Sequence, residues 1–429
     1  MPSIFINHPT KIVKGTVKVP SSKSISNRAL ILQHLFGNEH VTISNLSEAK
    51  DTQLLIACLD QLVFHRKSVS NKYKFAFVID AWNAGTAFRF LTALLSITPG
   101  KWLLTGDERM HQRPIKPLVD ALQKLGAEIS YIEKVGYPPL QIIGSELIGG
   151  SVKMETQQSS QFVNALLLIA PTFQKGLSIE LEANPVSESY IENTIEVLKL
   201  FGITCYKQNN FIEVQPSKSV RNHFEIEPDW SSIAFIIEIA SIADEADIII
   251  ENVSKKSIQG DFIIVELAKN YGVECVFENN NLRILKAKNL TPLKPQIFEF
   301  DFKSTPDLTQ PIVAMSVAAG VDCVFKGINH LALKETDRIK ALENELHKIN
   351  VQFIRKNDFH VLNNSKEIEP NSSLTFNTYN DHRMAMCLAP LCLKYGQLEI
   401  KDPTVVEKSF PDFWNQLKKI GFEIQLKKQ

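Results

Sequence analysis

Leu122-Gln123-Lys124-Leu125-Gly126-Ala127-Glu128-Ile129-Ser130 reads as the end of an amphipathic helix, a turn and the start of an alternating strand. Leu122 and Leu125 sit four and one positions before Gly126, on one face of a helix end. Glycine then accepts the left-handed conformation that closes a helix. Beyond it apolar and polar residues alternate, as in a half-buried strand. The pattern returns as LDQLVFHRK from Leu59, LKLFGITCY from Leu198, AKNYGVECV from Ala268, LHKINVQFI from Leu346 and LKKIGFEIQ from Leu417. The turn position falls at Val63, Gly126, Gly202, Gly272, Asn350 and Gly421. Helix–glycine–strand is common in α/β proteins, but six copies at similar intervals point to a repeated unit, far longer than a solenoid repeat. The pattern predicts six α+β units of supersecondary size, grouped into two lobes.

The chain has 429 residues, more than one hydrophobic core accommodates, since cores stop growing near ~250–300 residues. Hydrophobic residues make up 44% and charged residues 22%, which argues against long disordered tracts. Lys and Arg total 47 and Asp and Glu total 47, so the formal net charge is zero. That balance argues against nucleic acid or an anionic membrane as partner, but leaves room for a local cationic site. The N-terminus MPSIFINHPTKIVKG lacks the pattern of a signal peptide. Gln161–Pro171 is too short to span a bilayer, and Glu238, Asp244, Glu245 and Asp247 interrupt the longer run Ser231–Val253. A soluble, cytoplasmic protein is expected. Cys58, Cys205, Cys275, Cys323, Cys387 and Cys392 form no CxxC pair and no Cys/His cluster with zinc spacing, which predicts reduced thiols and no metal site. The best domain boundaries lie near Val19–Ser22 and Glu225–Pro228. They predict a discontinuous lobe of residues 1–20 and 227–429 and a second lobe of residues 21–226. Two strands would join these as a hinge, with a ligand site in the cleft.

Pro20-Ser21-Ser22-Lys23-Ser24-Ile25-Ser26-Asn27-Arg28 leads into an apolar helical run. Serines there are good N-caps, which alone explains much of the stretch. Yet Lys23 at the helix start and Arg28 one turn after Ser24 also make a natural anion site. Asn83-Ala84-Gly85-Thr86-Ala87-Phe88-Arg89 is a small-residue approach to a second apolar helix. Thr105–Pro114 reads as a loop dense in charge, in which Arg113 before Pro114 is held extended. Ser159-Ser160-Gln161-Phe162 and Ser187-Glu188-Ser189-Tyr190 are further polar starts to helices, equally readable as caps.

In the C-terminal half, Asp307 precedes an apolar helix and is also readable as a cap. Lys334 and Arg338 stand at i, i+4 in LKETDR, so they share a face if the segment is helical, unless Glu335 and Asp337 neutralise them at the surface. Asn380-Asp381-His382-Arg383 opens another apolar helix, and Lys408-Ser409-Phe410-Pro411 follows. Lys23, Arg28, Arg113, Lys334, Arg338, Arg383 and Lys408 are thus candidate anion ligands. A cleft closing on them would be strongly positive and suited to small polyanions bearing phosphate and carboxylate. Neither a Walker A motif nor GxGxxG occurs.

In order and spacing, KSISNR, NAGTAFR, GDERMHQRP, SSQF, SESY, LKETDR, YNDHRMAM and KSFPDFW resemble the 5-enolpyruvylshikimate-3-phosphate synthase family over essentially the whole chain. LKETDR followed by NDHRMAM is the most specific part. The resemblance implies two similar lobes, each of three βαβαββ units arranged as an inside-out α/β barrel. In that family shikimate 3-phosphate and phosphoenolpyruvate give phosphate and an enolpyruvyl ether through a tetrahedral intermediate, without a cofactor. The resemblance implies that Lys23, Ser24, Arg28, Ser159, Ser160, Gln161, Ser187, Tyr190, Asp307 and Lys334 bind shikimate 3-phosphate. It likewise implies that Lys23, Gly85, Arg113, Gln161, Arg338, Arg383 and Lys408 bind phosphoenolpyruvate.

The chemistry needs a proton removed from the 5-hydroxyl as it attacks C2, and a proton given to C3 and later taken back. Asp307 is the expected partner of the hydroxyl and Glu335 of C3, with Lys23 and His382 in support. A monomer is expected. Phe90 stands where many relatives carry Pro, His330 where some have Asn, and Ser189 where some have Pro. A rival is the enolpyruvyl transferase acting on UDP-N-acetylglucosamine, which carries a reactive Cys in the loop before its Arg-Pro; Glu108 stands there here. A second rival is a non-catalytic small-anion-binding protein. The carboxylates Asp307 and Glu335 speak against it, because they weaken polyanion binding and are useful mainly for proton transfer.

Overall fold

Gly126, at φ 99°, ends the helix Lys116–Lys124 and releases the strand Glu128–Tyr131. Gly202, Gly272, Asn350 and Gly421 do the same in left-handed backbone, each between a helical turn and a strand. All five strands so released lie at the edge of a four-stranded sheet. Each of the five sheets has one parallel joint followed by two antiparallel ones, as in Phe77–Asp80, Gly100–Thr105, Leu140–Gly144 and Glu128–Tyr131 taken in spatial order. The computed structural model describes residues 2–37, 40–68, 76–155, 159–182, 185–217, 223–288, 298–364 and 374–427.

The sixth copy departs from the pattern. Val63 lies inside the helix Lys50–Ser68, so the expected turn and strand after Leu62 do not form there. A β-branched residue cannot take the left-handed backbone that Gly or Asn supplies at the other five positions, and the helix simply continues. Among the described residues, the remaining strands of that region are Thr42–Ser44 and His223–Glu225, which pair in parallel.

The chain divides into two compact units, Met1–Pro20 with Glu227–Gln429, and Ser21–Ile226. Strand pairing explains why the first unit is discontinuous. Ser3–Asn7 sits between Leu398–Lys401 and Glu423–Leu426, completing the sheet nearest the C-terminus. Ile12–Val17 then forms the parallel joint with Glu245–Ile250. Two adjacent strands thus tie the first residues to distant parts of the sequence. No helix among the described residues is long and apolar enough to cross a membrane.

The helix Trp230–Ile242 is buried along almost its whole length, as its apolar composition requires. Glu238 lies within it at 0% exposure, and neither carboxylate oxygen has a hydrogen-bond partner. Burial pushes its carboxyl well above the usual range. The native state therefore keeps a proton that the unfolded chain releases above its ordinary carboxylate pKa, so stability falls as pH rises beyond that point. Glu238→Gln should remove this component, which has a slope of at most about 1.4 kcal/mol per pH unit. Urea midpoints of both proteins across the neutral range test it: the variant should show the flatter profile, and parallel profiles would overturn it.

Candidate active site

Four helices of the unit Ser21–Ile226 pack together: Lys23–Phe36, Gly85–Ile97, Gln161–Ile169 and Glu188–Leu200. Contacts near their first turns draw the starts to one place. Arg28 donates through Nε to Thr194 Oγ1 at 2.7 Å, through Nη2 to Tyr190 O at 3.1 Å and through Nη1 to Ser24 O at 2.6 Å. Gln161 Nε2 donates to Thr86 Oγ1 at 3.0 Å. Helix starts carry N–H groups without intrahelical partners, so their convergence favours an anion.

Capping accounts for Ser22, whose Oγ accepts from Ile25 N at 3.4 Å. It does not account for Ser160 or Ser187, which make no side-chain cap bond. Ser187 also adopts left-handed backbone at φ 58°, a costly conformation that helix stability alone does not require. Ser159 Oγ accepts from Gln161 N at 3.3 Å.

The cations of this unit differ in how they are compensated. Lys23 Nζ lies 3.1 Å from Asp51 Oδ2. Arg28 is 2% exposed, and its hydrogen bonds all go to neutral oxygens. Burial lowers its pKa to about 10, opposed by Tyr190, so it remains charged at neutral pH. Its guanidinium lies 5.7 Å from the centre of the Phe90 ring, a weak cation–π contact. Arg113 packs so closely on Gly85 that a Cβ there would come within 2.7 Å of its Cζ. The charged loop before it contains one helical turn, Glu108–His111, because Asp107 accepts from Met110 N at 2.8 Å. Arg89 donates to Gly85 O and Pro114 O, each at 3.1 Å, and so fastens that segment to the Gly85 helix.

The other unit holds a denser cluster. Arg338, 2% exposed, is the first residue of the helix Arg338–His347. Its Nε lies 2.7 Å from Asp381 Oδ2, its Nη1 3.2 Å from Asp307 Oδ1 and its Nη2 3.0 Å from Glu335 Oε2. Arg383 Nη2 lies 2.8 Å from the other Asp307 oxygen, and Lys408 Nζ lies 3.8 Å from Glu335 Oε1. Burial pulls the Arg338 guanidinium down, but Asp381, Glu335 and Asp307 together more than reverse this and raise it. His382 is buried, with Nδ1 3.6 Å from Asp381 Oδ1. His330 is also buried, and burial with the Lys334 charge drives it down to about 3, so its imidazole is neutral.

Local sequence explains the placement. Asp337 caps the Arg338 helix, accepting from Lys340 N at 3.0 Å. Asp381 caps the helix His382–Leu388, accepting from Arg383 N at 2.9 Å, after left-handed Tyr379 and Asn380 turn the chain. Asp307 stands in the short turn Pro306–Leu308 before the helix Thr309–Ala319. Lys334 and Arg338 do not share a helical face: Lys334 is extended and lies outside the helix, because the cap at Asp337 starts the helix only at Arg338. Nor is this a solvated surface, since the Glu335–Arg338 pair is largely buried.

Sequence reasoning missed Asp51, Thr194, Asp229, Ser231 and Asp261. Asp229 carried a signal, an acidic residue before Trp230-Ser231-Ser232, and it caps that helix through Ser231 N at 2.9 Å. Asp51 lies in the first turn of the helix Lys50–Ser68. Four of the seven candidate anion ligands are partly compensated. Lys23, Arg338, Arg383 and Lys408 each face a carboxylate within the same unit.

A sequence model of the family described as EPSP synthase (3-phosphoshikimate 1-carboxyvinyltransferase) matches residues 7–417. A Bacteroides fragilis protein named 3-phosphoshikimate 1-carboxyvinyltransferase is 38% identical over 423 residues, covering 98% of each chain. One of the same name from Pseudoalteromonas atlantica is 32% identical over 433 residues, covering 96% of this chain and 98% of the relative. An EPSP synthase structure from Acinetobacter baumannii matches with a TM-score of 0.75 over 100% of both chains, at 21% identity, which speaks for the fold.

Arg338→Gln should destabilise the protein by about 3–5 kcal/mol, because it leaves fully buried Asp381 without its cation. Chemical denaturation measures this. A loss below about 1 kcal/mol would mean that Arg338 does not hold the cluster together.

Proposed function

The chain belongs to the EPSP synthase (3-phosphoshikimate 1-carboxyvinyltransferase) family and carries that activity in the shikimate pathway; on this premise we propose which of its residues do the work. The single observation that carries the reading is Asp307, whose two oxygens face two different buried arginines while Glu335 shares one of them. Two carboxylates fixed beside several cations suit a reaction that moves protons next to anionic substrates.

Shikimate 3-phosphate is bound by Lys23, Ser24, Arg28, Ser159, Ser160, Gln161, Ser187, Tyr190, Asp307 and Lys334. Arg28 supports this assignment through its burial without an acidic partner, and Ser160 and Ser187 through hydroxyls that cap nothing. Phosphoenolpyruvate is bound by Lys23, Gly85, Arg113, Gln161, Arg338, Arg383 and Lys408. Guanidinium forks suit both its carboxylate and its phosphate. Asp307 takes the proton of the 5-hydroxyl as that oxygen attacks C2. Glu335 gives a proton to C3, then recovers one when the tetrahedral intermediate expels phosphate. Lys23 and His382 assist, and cations near the departing phosphate stabilise its charge.

We also infer three βαβαββ repeats in each unit, supported by the common strand order of the five four-stranded sheets. A cytoplasmic monomer completes the reading.

Phosphate release from phosphoenolpyruvate should require shikimate 3-phosphate; release with UDP-N-acetylglucosamine alone would overturn the substrate assignment. Glu335→Gln should cut kcat by about 100-fold or more, and unchanged turnover would remove its proton-transfer role. Gly85→Ala should fold, since the obstacle to a Cβ is the flexible end of Arg113. It should raise KM for phosphoenolpyruvate about tenfold or more by displacing that guanidinium, with a much smaller change for shikimate 3-phosphate. Equal changes in both constants would reject Arg113 as a selective ligand.

A further inference from the structure

Asp261 lies in the 3₁₀ turn Gly260–Ile263, which packs against the helix Trp230–Ile242. It is 5% exposed, and its Oδ1 is buried with no hydrogen-bond partner. Gln259 Oε1 accepts from Trp230 N at 3.1 Å and the centre of the Phe262 ring lies 4.6 Å from that of Trp230, which sets Asp261 at the start of the helix Trp230–Ile242. There Asp307 from the turn Pro306–Leu308, Arg383 from the helix His382–Leu388 and the cap Asp229 act on its charge. The last two are already engaged. Asp229 Oδ1 accepts from Ser231 N at 2.9 Å and Ser231 Oγ at 2.7 Å. Arg383 Nη2 donates to Ser231 Oγ at 3.0 Å and lies 2.8 Å from Asp307 Oδ2.

We propose that Asp261 is a positioning residue that, as a neutral carboxylic acid, leaves Arg383 on Asp307 and available to phosphoenolpyruvate. Ionised, it would be a third carboxylate near one guanidinium, beside Asp307, which faces Arg338 and Arg383, and Asp229, which accepts from Ser231. Desolvation and this crowding both oppose ionisation. Burial first, then the Asp307 charge, push its carboxyl up to about 8, while Arg383 pulls the other way. The neutral form therefore predominates below that value and loses its proton to solvent as pH rises through it. Loss of the proton draws Arg383 toward Asp261 and weakens its hold on the incoming anion. The inference rests on Arg383 being a phosphoenolpyruvate ligand.

The test measures kcat and KM for both substrates from about pH 6 to about pH 10 on the full chain and on Asp261→Asn, whose amide cannot ionise. Wild type should show KM for phosphoenolpyruvate rising as pH passes about 8, by up to tenfold per unit. Asp261→Asn should lack that rise. An unchanged alkaline limb in the variant would overturn the proposal, as would a folded variant inactive at every pH, which would mean that the carboxylate is needed. Infrared spectra provide a second readout: a protonated-carboxyl component should appear in the wild-type minus Asp261→Asn difference, while the Glu238 band stays in both proteins, and no such component in that difference would also overturn the proposal. Arg383→Lys separates the two levels. Unchanged KM for phosphoenolpyruvate there would reject Arg383 as its ligand, whereas the wild-type minus Asp261→Asn infrared difference reports on Asp261 alone.

Discussion

One guanidinium taken out of water governs the unit Met1–Pro20 with Glu227–Gln429. Arg338 meets Asp307, Glu335 and Asp381, and each carboxylate reaches it from a different local structure. Burying such a group is expensive, and attraction inside the protein repays the cost only when geometry and hydrogen bonding are good. Here the geometry is fixed at several points. Asp381 also caps the helix that begins at His382, and Asp337 caps the helix that begins at Arg338. A helix start therefore cannot move without disturbing an ion pair, which is how one buried charge holds acid groups in place.

Arg28, in the unit Ser21–Ile226, is treated in the opposite way. Arg28 is as buried as Arg338, yet its bonds go to a hydroxyl and two carbonyls, and its charge faces the ring of Phe90. Neutral oxygens and an aromatic face satisfy its N–H groups without cancelling its charge. A cation left in that condition gains more from an incoming anion than one already paired with a carboxylate. The two units thus differ on physical grounds: one holds a buried arginine, Arg28, whose hydrogen bonds go to neutral oxygens, beside a lysine paired with Asp51, and the other holds carboxylates poised on cations.

The repeat was legible in the sequence wherever glycine or asparagine closed a helix, because left-handed backbone is a local requirement that one residue can satisfy. It misled at Val63, where the surrounding letters matched and the decisive residue did not. The site motifs were legible as chemistry but not as pairings. The sequence around Arg338 shows Glu335 and Asp337 nearby, but not Asp307 or Asp381, which reach it only through folding. For the same reason the carboxylates facing four of the seven candidate cations could not be assigned from the sequence. Asp51 and Asp307 look like ordinary helix-start acids until packing sets them against Lys23, Arg338 and Arg383. Asp261 carried no signal at all, since its meaning lies in what faces it.

Compensated cations change what binding has to accomplish. In the proposed reaction phosphoenolpyruvate approaches arginines and a lysine that already face Asp307, Glu335 and Asp381. Adding its negative charge to that set without other change would crowd anions in a poorly solvated space. In the proposed reaction proton uptake by one of the carboxylates relieves the crowding, and that carboxylate is Glu335, whose Oε1 faces Lys408 only at 3.8 Å while both Asp307 oxygens face arginines. A proton drawn onto Glu335 by the arrival of an anion is the proton that C3 needs next. On the proposed roles, anion binding and acid catalysis are one electrostatic event, and the carboxylates that weaken the site as an anion receptor are what arms it for the chemical step.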